Sequence, residues 1–342
     1  MRGKLPRLLL SGKVSMANFA ITNACNASCR HCSFPSVRDR RTVSLEDAKV
    51  AVDRLWDLGV GILSVTGGEP FTVPHLPRVV EHASRRGMVV YTGTNGSLTT
   101  REAVEALADA GVDAVWVSVE ASDTATLEAH RGLDGLSGDV QRTGGLLHEH
   151  GVTAYAICAI NRGVLDIGEY LRYVHGLGFG SVKFDYPMTS PMGSTYLGYS
   201  EDPCLQLSQE ERELVVERIL SHRHNGSAVR IINPTLGLRG FLDHGRGMEA
   251  GYRCPAGRYV LYLDWDLNLF RCIQSSERLG DVRDVVPGDL QMSDCDRCYY
   301  QGCRDYGPLY HLIDTVRGGE RPDGRLLEGL RTVIELGRTG LL

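Results

Sequence analysis

The run Cys25-Asn26-Ala27-Ser28-Cys29-Arg30-His31-Cys32 packs three thiols into eight residues with C-x3-C-x2-C spacing. Three thiolates at that density can hold three corners of a cubane [4Fe-4S] cluster, and the loop supplies no fourth cysteine, so one iron would stay open to another ligand. A zinc site completed by His31 or a distant residue, and three unrelated cysteines, are the competing readings. A second group lies near the end of the chain. Cys254 is followed after 17 residues by Cys272, after 22 more by Cys295-x2-Cys298, and after four more by Cys303. Cys158 and Cys204 stand apart.

The compartment decides how such clusters are read. The N-terminal stretch has one three-leucine cluster broken by Pro6 and Gly12, too short for a signal-peptide core or a membrane span. A cytoplasmic location is expected, where structural disulfides are disfavoured and grouped cysteines are metal ligands. With 37 Lys plus Arg against 42 Asp plus Glu the net charge is -5, and no basic block stands out. That balance excludes a nucleic-acid or anionic-membrane surface built on charge alone. The hydrophobic share of 42% and charged share of 23% are those of a globular protein, and a chain of this length leaves only about 14,000 Å² exposed when folded.

The elements that must position the first cysteine group read as a repeat. Ser44 opens a helix with acid in its first turn, Ala48, Val52, Leu55 and Leu58 form its apolar stripe, and Gly59 closes it before the run ILSVT (62–66). Helices over 74–87, 100–111, 138–151 and 164–178 each end at a glycine and lead into MVVYT (88–92), AVWVSV (114–119), VTAYAICAI (152–160) and SVKFDY (181–186). Helix-ending glycines feeding β-rich runs are the pattern of right-handed βαβ crossovers. With ANFAIT (17–22) as the first strand, six units precede Asp185, two short of a closed eight-fold barrel. The expected fold is α/β, a partial (β/α)6 TIM-like barrel with a small C-terminal cysteine-rich domain; a doubly wound sheet is the alternative. Parallel α/β folds put their chemistry at the carboxyl ends of the strands. After residue 190 a polar loop runs to about 207, a capped helix starts at Ser208 with Glu211, and VRIIN (229–233) leads toward the tail. The boundary is expected between about 235 and 253, giving a core over 1–235 and a tail domain over 236–342.

With the cysteine loop directly after the first strand and Gly67-Gly68-Glu69-Pro70 ending the second, the chain resembles the radical S-adenosylmethionine (SAM) superfamily over roughly 17–303. The resemblance implies that Cys25, Cys29 and Cys32 hold a [4Fe-4S] cluster whose open iron is chelated by the amino and carboxylate groups of SAM. It further implies cofactor contacts from Gly67, Gly68 and Glu69, from Asn95 in Thr94-Asn95-Gly96, from Ser118 and Glu120, and from Arg131 in His130-Arg131-Gly132. Glycines there let backbone approach the ligand amino group, and the Glu69 carboxylate helps bind it. Tyr186-Pro187 with Gly193 resembles the loop after the sixth strand. His31 is read as packing near the cluster or adenine, and not as an iron ligand. The implied chemistry is one-electron cleavage of the sulfonium, giving methionine and a 5′-deoxyadenosyl radical that abstracts a substrate hydrogen; the protein supplies orientation and exclusion of water and oxygen.

The tail resembles the SPASM and twitch extensions that hold auxiliary [4Fe-4S] clusters. Between Cys254 and Cys272 the segment YVLYLDWDLNLFRC alternates like a hairpin turning within Asp264–Asn268, and Leu267 stands where a glycine is usual. One auxiliary cluster fits the cysteine supply. The twitch pattern assigns Cys254, Cys272, Cys295 and Cys298, leaving Cys303 as a free thiol, an alternative ligand or a hydrogen-atom donor; a four-cysteine zinc knot is the competing reading. A second cluster near the barrel mouth could accept the electron of a substrate radical, and net dehydrogenation then needs a base beside the abstracted hydrogen. Asp185 is the candidate base and Tyr186 a candidate for positioning substrate. Only 24 residues precede Cys25, which is expected to leave no room for an N-terminal peptide-binding domain and favours a small-molecule substrate. The expected activity is a dehydrogenase of a sugar or aminocyclitol alcohol in aminoglycoside-type natural-product biosynthesis, served by an external flavodoxin- or ferredoxin-type reductant. The alternative is a peptide or protein maturase forming a crosslink or an oxidised side chain.

Overall fold

A computed structural model describes residues 4–245, 253–293, 295, 300–318 and 329–335. Six parallel strands appear where the apolar runs predict them: β1 (Ser15–Thr22), β2 (Val60–Gly67), β3 (Val89–Thr94), β4 (Ala114–Ser118), β5 (Thr153–Ala159) and β6 (Ser181–Asp185). They pair in sequence order, β1 through β6 without reversal. A doubly wound sheet needs a switch point where the order reverses. Its absence from this order puts the connecting helices on one face and curls the sheet into a partial barrel.

Helix α1 (Lys4–Ser11) precedes β1, and the crossovers carry α2 (Leu45–Asp57), α3 (Leu76–Arg85), α4 (Arg101–Asp109), α5 (Thr124–Arg131), α6 (Leu136–Glu149) and α7 (Ile167–Gly176). The sequence rhythm did not announce α5. The start signals are ordinary capping chemistry: Ser44, Thr100, Asp123 and Asp166 each accept a hydrogen bond from a backbone N–H in the first turn of the following helix. Apolar residues on the outer face of the strands, such as Val65, Val117 and Phe184, pack against Leu55, Val79, Leu127 and Tyr170 of the helices in one core. The inner face of the strands is left for polar and aromatic side chains.

Beyond β6, α8 (Gln209–Asn225) is opened by a reciprocal cap between Ser208 and Glu211. The short β7 (Arg230–Ile231) extends the sheet beside β6, and α9 (Thr235–Gly245) follows. The tail then returns to the other edge. β8 (Val260–Leu263) pairs parallel with β1, β9 (Asn268–Phe270) folds back antiparallel on β8, and β10 (Arg278–Asp281) adds to β9. The ten-stranded sheet therefore runs across the boundary expected at 235/236. In the hairpin turn Asp264 accepts backbone N–H bonds from Asp266 and Asn268 at 2.9 and 2.8 Å. Leu267 there has φ 63°, the one positive φ of a non-glycine among the described residues.

Helix α10 (Gln301–Gly318) spans the open seam of the barrel. On the β1 side the Tyr310 hydroxyl donates to the Val14 carbonyl at 3.2 Å and its ring stacks on Tyr259. On the β6 side Asp305 lies 3.6 Å from the Lys183 ammonium and accepts from Asn233 at 3.4 Å. Among the described residues no helix is long and apolar enough to cross a membrane.

Candidate active site in the barrel lumen

The cysteine loop is held from both sides by backbone. A Cβ on Gly67 would sit 2.1 Å from the Thr22 carbonyl oxygen, and one on Gly68 2.1 Å from that of Ala24. Gly67 also has φ +134°, a region that favours glycine. This close approach lets Gly68 N–H donate to Thr22 and Glu69 N–H to Ala24, each at 2.8 Å. From the other side Ser28 and Arg30 N–H donate to the carbonyls of Arg131 and His130 at 3.0 and 2.9 Å. His31 stacks on His130 with centroids 4.9 Å apart and a ring nitrogen contact of 2.7 Å. Burial, then the Arg131 charge, holds both imidazoles below their ordinary range, His130 at about 4, so both are neutral at neutral pH.

The expected cofactor contacts converge around this loop. The Glu69 carboxylate is buried and accepts from Phe71 N–H at 3.0 Å and Asn95 N–H at 2.7 Å. The Asn95 amide reaches Asn26 in the cysteine loop at 2.9 Å. Arg131 and Glu120 form a buried two-point ion pair, with Nε to Oε2 at 2.7 Å and Nη2 to Oε1, and Arg131 also donates to the Cys29 sulfur at 3.4 Å. Burial works against the charge on Arg131, but Glu120 and Cys29 outweigh it and its pKa is raised. Ser118 lines the same cavity.

Below this roof lies a partly open cavity of about 330 Å³. Trp116, Tyr155, Lys183 and Asp185 line it from β4, β5 and β6. Lys183 bonds Asp185 at 2.7 Å. Tyr186, expected to position substrate, instead donates its hydroxyl to the Gly237 carbonyl and packs its ring on Phe241 at 4.5 Å. Its hydroxyl is committed to α9. The loop after β6 closes the cavity: Leu197 accepts from Ser33 N–H at 2.9 Å, Gly193 N–H donates to Gln274 at 3.2 Å, and Thr195 bonds Asp264 at 3.0 Å. One loop thus ties the cysteine loop to the tail hairpin. Sequence reasoning missed Trp116 and Lys183, although each lies two residues, one pleat, from a named site residue, Ser118 and Asp185.

Residues 19–169 match the family model of the radical SAM superfamily. Over those residues this chain carries a radical SAM domain. AlbA of Bacillus subtilis, named as the antilisterial bacteriocin subtilosin biosynthesis protein, is 28% identical over 173 residues, 50% of this chain and 39% of that protein. An AdoMet-dependent heme synthase of Methanosarcina barkeri is 34% identical over 125 residues, 36% of this chain and 35% of that protein. The match spans less than half the length of either relative. Among solved structures, native anSMEcpe with bound AdoMet and the Kp18Cys peptide superposes with a TM-score of 0.61 at 19% identity, covering 80% of each chain, which is a likeness of fold.

The donor set fits the cofactors of a radical SAM domain, a [4Fe-4S] cluster and SAM. Cys25, Cys29 and Cys32 are free thiols on one loop over the cavity. Burial pushes the Cys25 thiol up to about 11 and that of Cys32 to about 12, and raises that of Cys29. Thiols this buried stay protonated unless a cation replaces the proton, the state that suits metal ligation.

In the tail, hydrogen bonds from Cys295 and then Cys303 hold the Cys254 thiol below the ordinary thiol range. Cys254 and Cys303 are buried and Cys295 is exposed. Cys272 is half-buried two residues past β9, and Cys298 lies outside the described residues. The twitch-type assignment leaves Cys303 out of the ligand set, whereas α10 brings it against Cys254.

Proposed function

We propose that this radical SAM enzyme modifies a side chain of a peptide or protein substrate by hydrogen-atom abstraction. The observation that carries the reading is the cavity itself, roofed by the cysteine loop and walled by α10, the helix that bears Cys303. At about 330 Å³ it lies at the small end of ligand pockets, about 300–1,000 Å³, and SAM must share it. That space suits one side chain better than a tetrapyrrole. The bacteriocin role in the name of AlbA and the peptide bound by anSMEcpe support the same choice over the sugar-alcohol substrate.

When bound, the cluster at Cys25, Cys29 and Cys32 and its SAM supply a 5′-deoxyadenosyl radical. Gly67, Gly68, Glu69, Asn95, Ser118, Glu120 and Arg131 bind and orient SAM. Asp185, paired with Lys183, is the group that takes a substrate proton, and Tyr186 shapes the wall through its bond to Gly237. Cys254, Cys295 and Cys303, with Cys272 or Cys298 as the fourth donor, hold one auxiliary [4Fe-4S] cluster, and an external flavodoxin- or ferredoxin-type protein supplies electrons. The Asp185 carboxylate in the lumen also favours a second reading, dehydrogenation of a sugar or aminocyclitol alcohol.

The test is anaerobic reconstitution followed by dithionite, SAM and deuterated candidates. About eight irons per chain are expected for two cubanes, and about four would remove the auxiliary site. Deuterium from a peptide side chain must appear in 5′-deoxyadenosine. Transfer from a carbinol carbon, with ketone formed and no peptide labelling, would move the assignment to the second reading.

A further inference from the structure

Gly93 in β3 has no backbone reason to be glycine. It is not among the residues with positive φ, and an interior strand position disfavours the residue. A side chain explains it. A Cβ there would lie 2.1 Å from Nε1, 2.3 Å from Cε2 and 2.6 Å from Cζ2 of Trp116. The bare backbone is what lets the indole lie across the strand.

Gly93 pairs with Trp116 and Trp116 with Tyr155, so the three form one row across β3, β4 and β5. Ser118, the expected cofactor contact, is next on the inner face of β4, one pleat nearer the cysteine loop. The indole therefore sits on the substrate side of the cofactor. It is only partly buried and lines the cavity, with Tyr91 and Tyr155 on neighbouring strands and Tyr306 on α10 around it. The Nε1–Cε2–Cζ2 side of the indole lies against Gly93.

The polar end of this chamber is the Lys183–Asp185 pair. Lys183 lies on the row of Ser118 and Ile157, and Asp185 one pleat higher beside Ala159. The Asp185 side chain is 32% exposed while lining the cavity, and Lys183 takes its Oδ1 at 2.7 Å. A substrate hydroxyl can donate to this carboxylate. A cationic side chain would meet the ammonium of Lys183, and an aliphatic one would cover the carboxylate while adding no donor to the one that Lys183 supplies.

We propose that Trp116, laid on Gly93, is a stacking platform for an aromatic side chain of the substrate, and that the Lys183–Asp185 pair receives its hydroxyl: the enzyme acts on a tyrosine-type residue. This rests on the peptide reading above and names its substrate class. Aromatic pairs favour offset-stacked or edge-to-face geometries, and the cavity lining that holds Trp116 also carries Tyr91, Tyr155 and Tyr306.

The experiment uses the full chain, reconstituted without air and saturated with SAM, titrated calorimetrically with N-acetyl-tyrosinamide, N-acetyl-phenylalaninamide, N-acetyl-leucinamide and N-acetyl-lysinamide. Tyrosinamide binds tightest, phenylalaninamide next. W116A weakens tyrosinamide about tenfold while W116F restores most of the loss. D185N removes the advantage of tyrosinamide over phenylalaninamide, the ratio of the two affinities being the quantity read. If W116A folds poorly, the W116F and D185N comparisons still decide. Leucinamide or lysinamide binding as tightly as tyrosinamide, or no amide binding, overturns the proposal. If deuterium reaches 5′-deoxyadenosine from aliphatic residues of a peptide and never from aromatic ones, this proposal falls while the peptide reading stands. Labelling from no peptide at all sinks the peptide reading.

Discussion

Replacing Gly68 with alanine puts a methyl carbon 2.1 Å from the Ala24 carbonyl oxygen and 2.5 Å from its carbon, where ordinary contact begins at 3.4 Å. Both neighbours are backbone, so no rotamer change relieves the overlap. The strand end and the cysteine loop must separate by more than an ångström. Overpacking of this kind costs about 1–3 kcal/mol. The two bonds that zip the segments together, Gly68 to Thr22 and Glu69 to Ala24, add about 0.5–1.5 kcal/mol each if lost. The expected penalty is about 2–6 kcal/mol, a large part of a total stability of about 5–15 kcal/mol. The loop moves before the fold fails, so Cys25 leaves its place first. The assay is the urea midpoint of the apo protein together with iron and sulfide content after anaerobic reconstitution. Gly145 is the control. It sits in α6, and nothing lies within 4 Å of an added Cβ, so G145A should raise stability by about 0.8–1 kcal/mol through helix propensity. A G68A protein with the wild-type midpoint and full iron loading would refute the argument that backbone contact between the GGEP turn and the loop builds the site.

Removing Arg131 as R131M strands a carboxylate that is 3% exposed and should cost about 3–5 kcal/mol. Burial raises the Glu120 pKa, so the native state of the variant holds a proton that the unfolded chain loses above its own pKa. The deficit should therefore be smallest in acid and grow as pH rises through about 4, as urea midpoints across pH would show. L267G relieves about 1–2 kcal/mol of left-handed strain but gives up a side chain only 5% exposed, whose burial contributes about 1.5–3 kcal/mol. The variant should lose about 1 kcal/mol in net stability by the same measurement, and a gain would mean that the strain dominates. Burial pushes the Cys25 and Cys32 thiols up, to about 11 and about 12, whereas hydrogen bonds from Cys295 and Cys303 lower that of Cys254. Iron loading of a C254A/C295A protein, which retains only the barrel site, should slow markedly as pH falls from about 9 to about 6 because protons must be displaced. Loading of a C25A/C29A/C32A protein should depend far less on pH, and equal pH profiles would contradict the assigned thiol environments.

The strand-helix rhythm was legible because each unit carries its own instructions. Ser44, Thr100 and Ser208 cap helices through bonds to residues three positions on, and apolar runs between glycines have few ways to be buried other than as central strands. The cysteine loop and the GGEP turn were legible because ligand spacing and glycine-permitted backbone are local properties. Leu267 stood out only as a departure from a pattern in which glycine is usual, and its φ of 63° came from the structure.

Other features depend on which distant segments meet. No local signal says that β8 pairs with β1, that α10 spans the seam between β1 and β6, or that Cys303 reaches Cys254. The position of Tyr186 predicted a side chain for substrate, but α9 supplies a carbonyl from 51 residues away that takes its hydroxyl. Alternation along β4 and β6 put Trp116 and Lys183 on the inner face once the strands were known. Their roles depend on Gly93 making room for the indole and on Asp305 approaching from α10. Sequence by itself determined the elements and the cysteine loop, because capping, turn conformation and thiol spacing act over a few residues. Tertiary structure decided the chamber, because its contents depend on contacts between segments that are far apart in the chain and whose pairing no local energy term specifies.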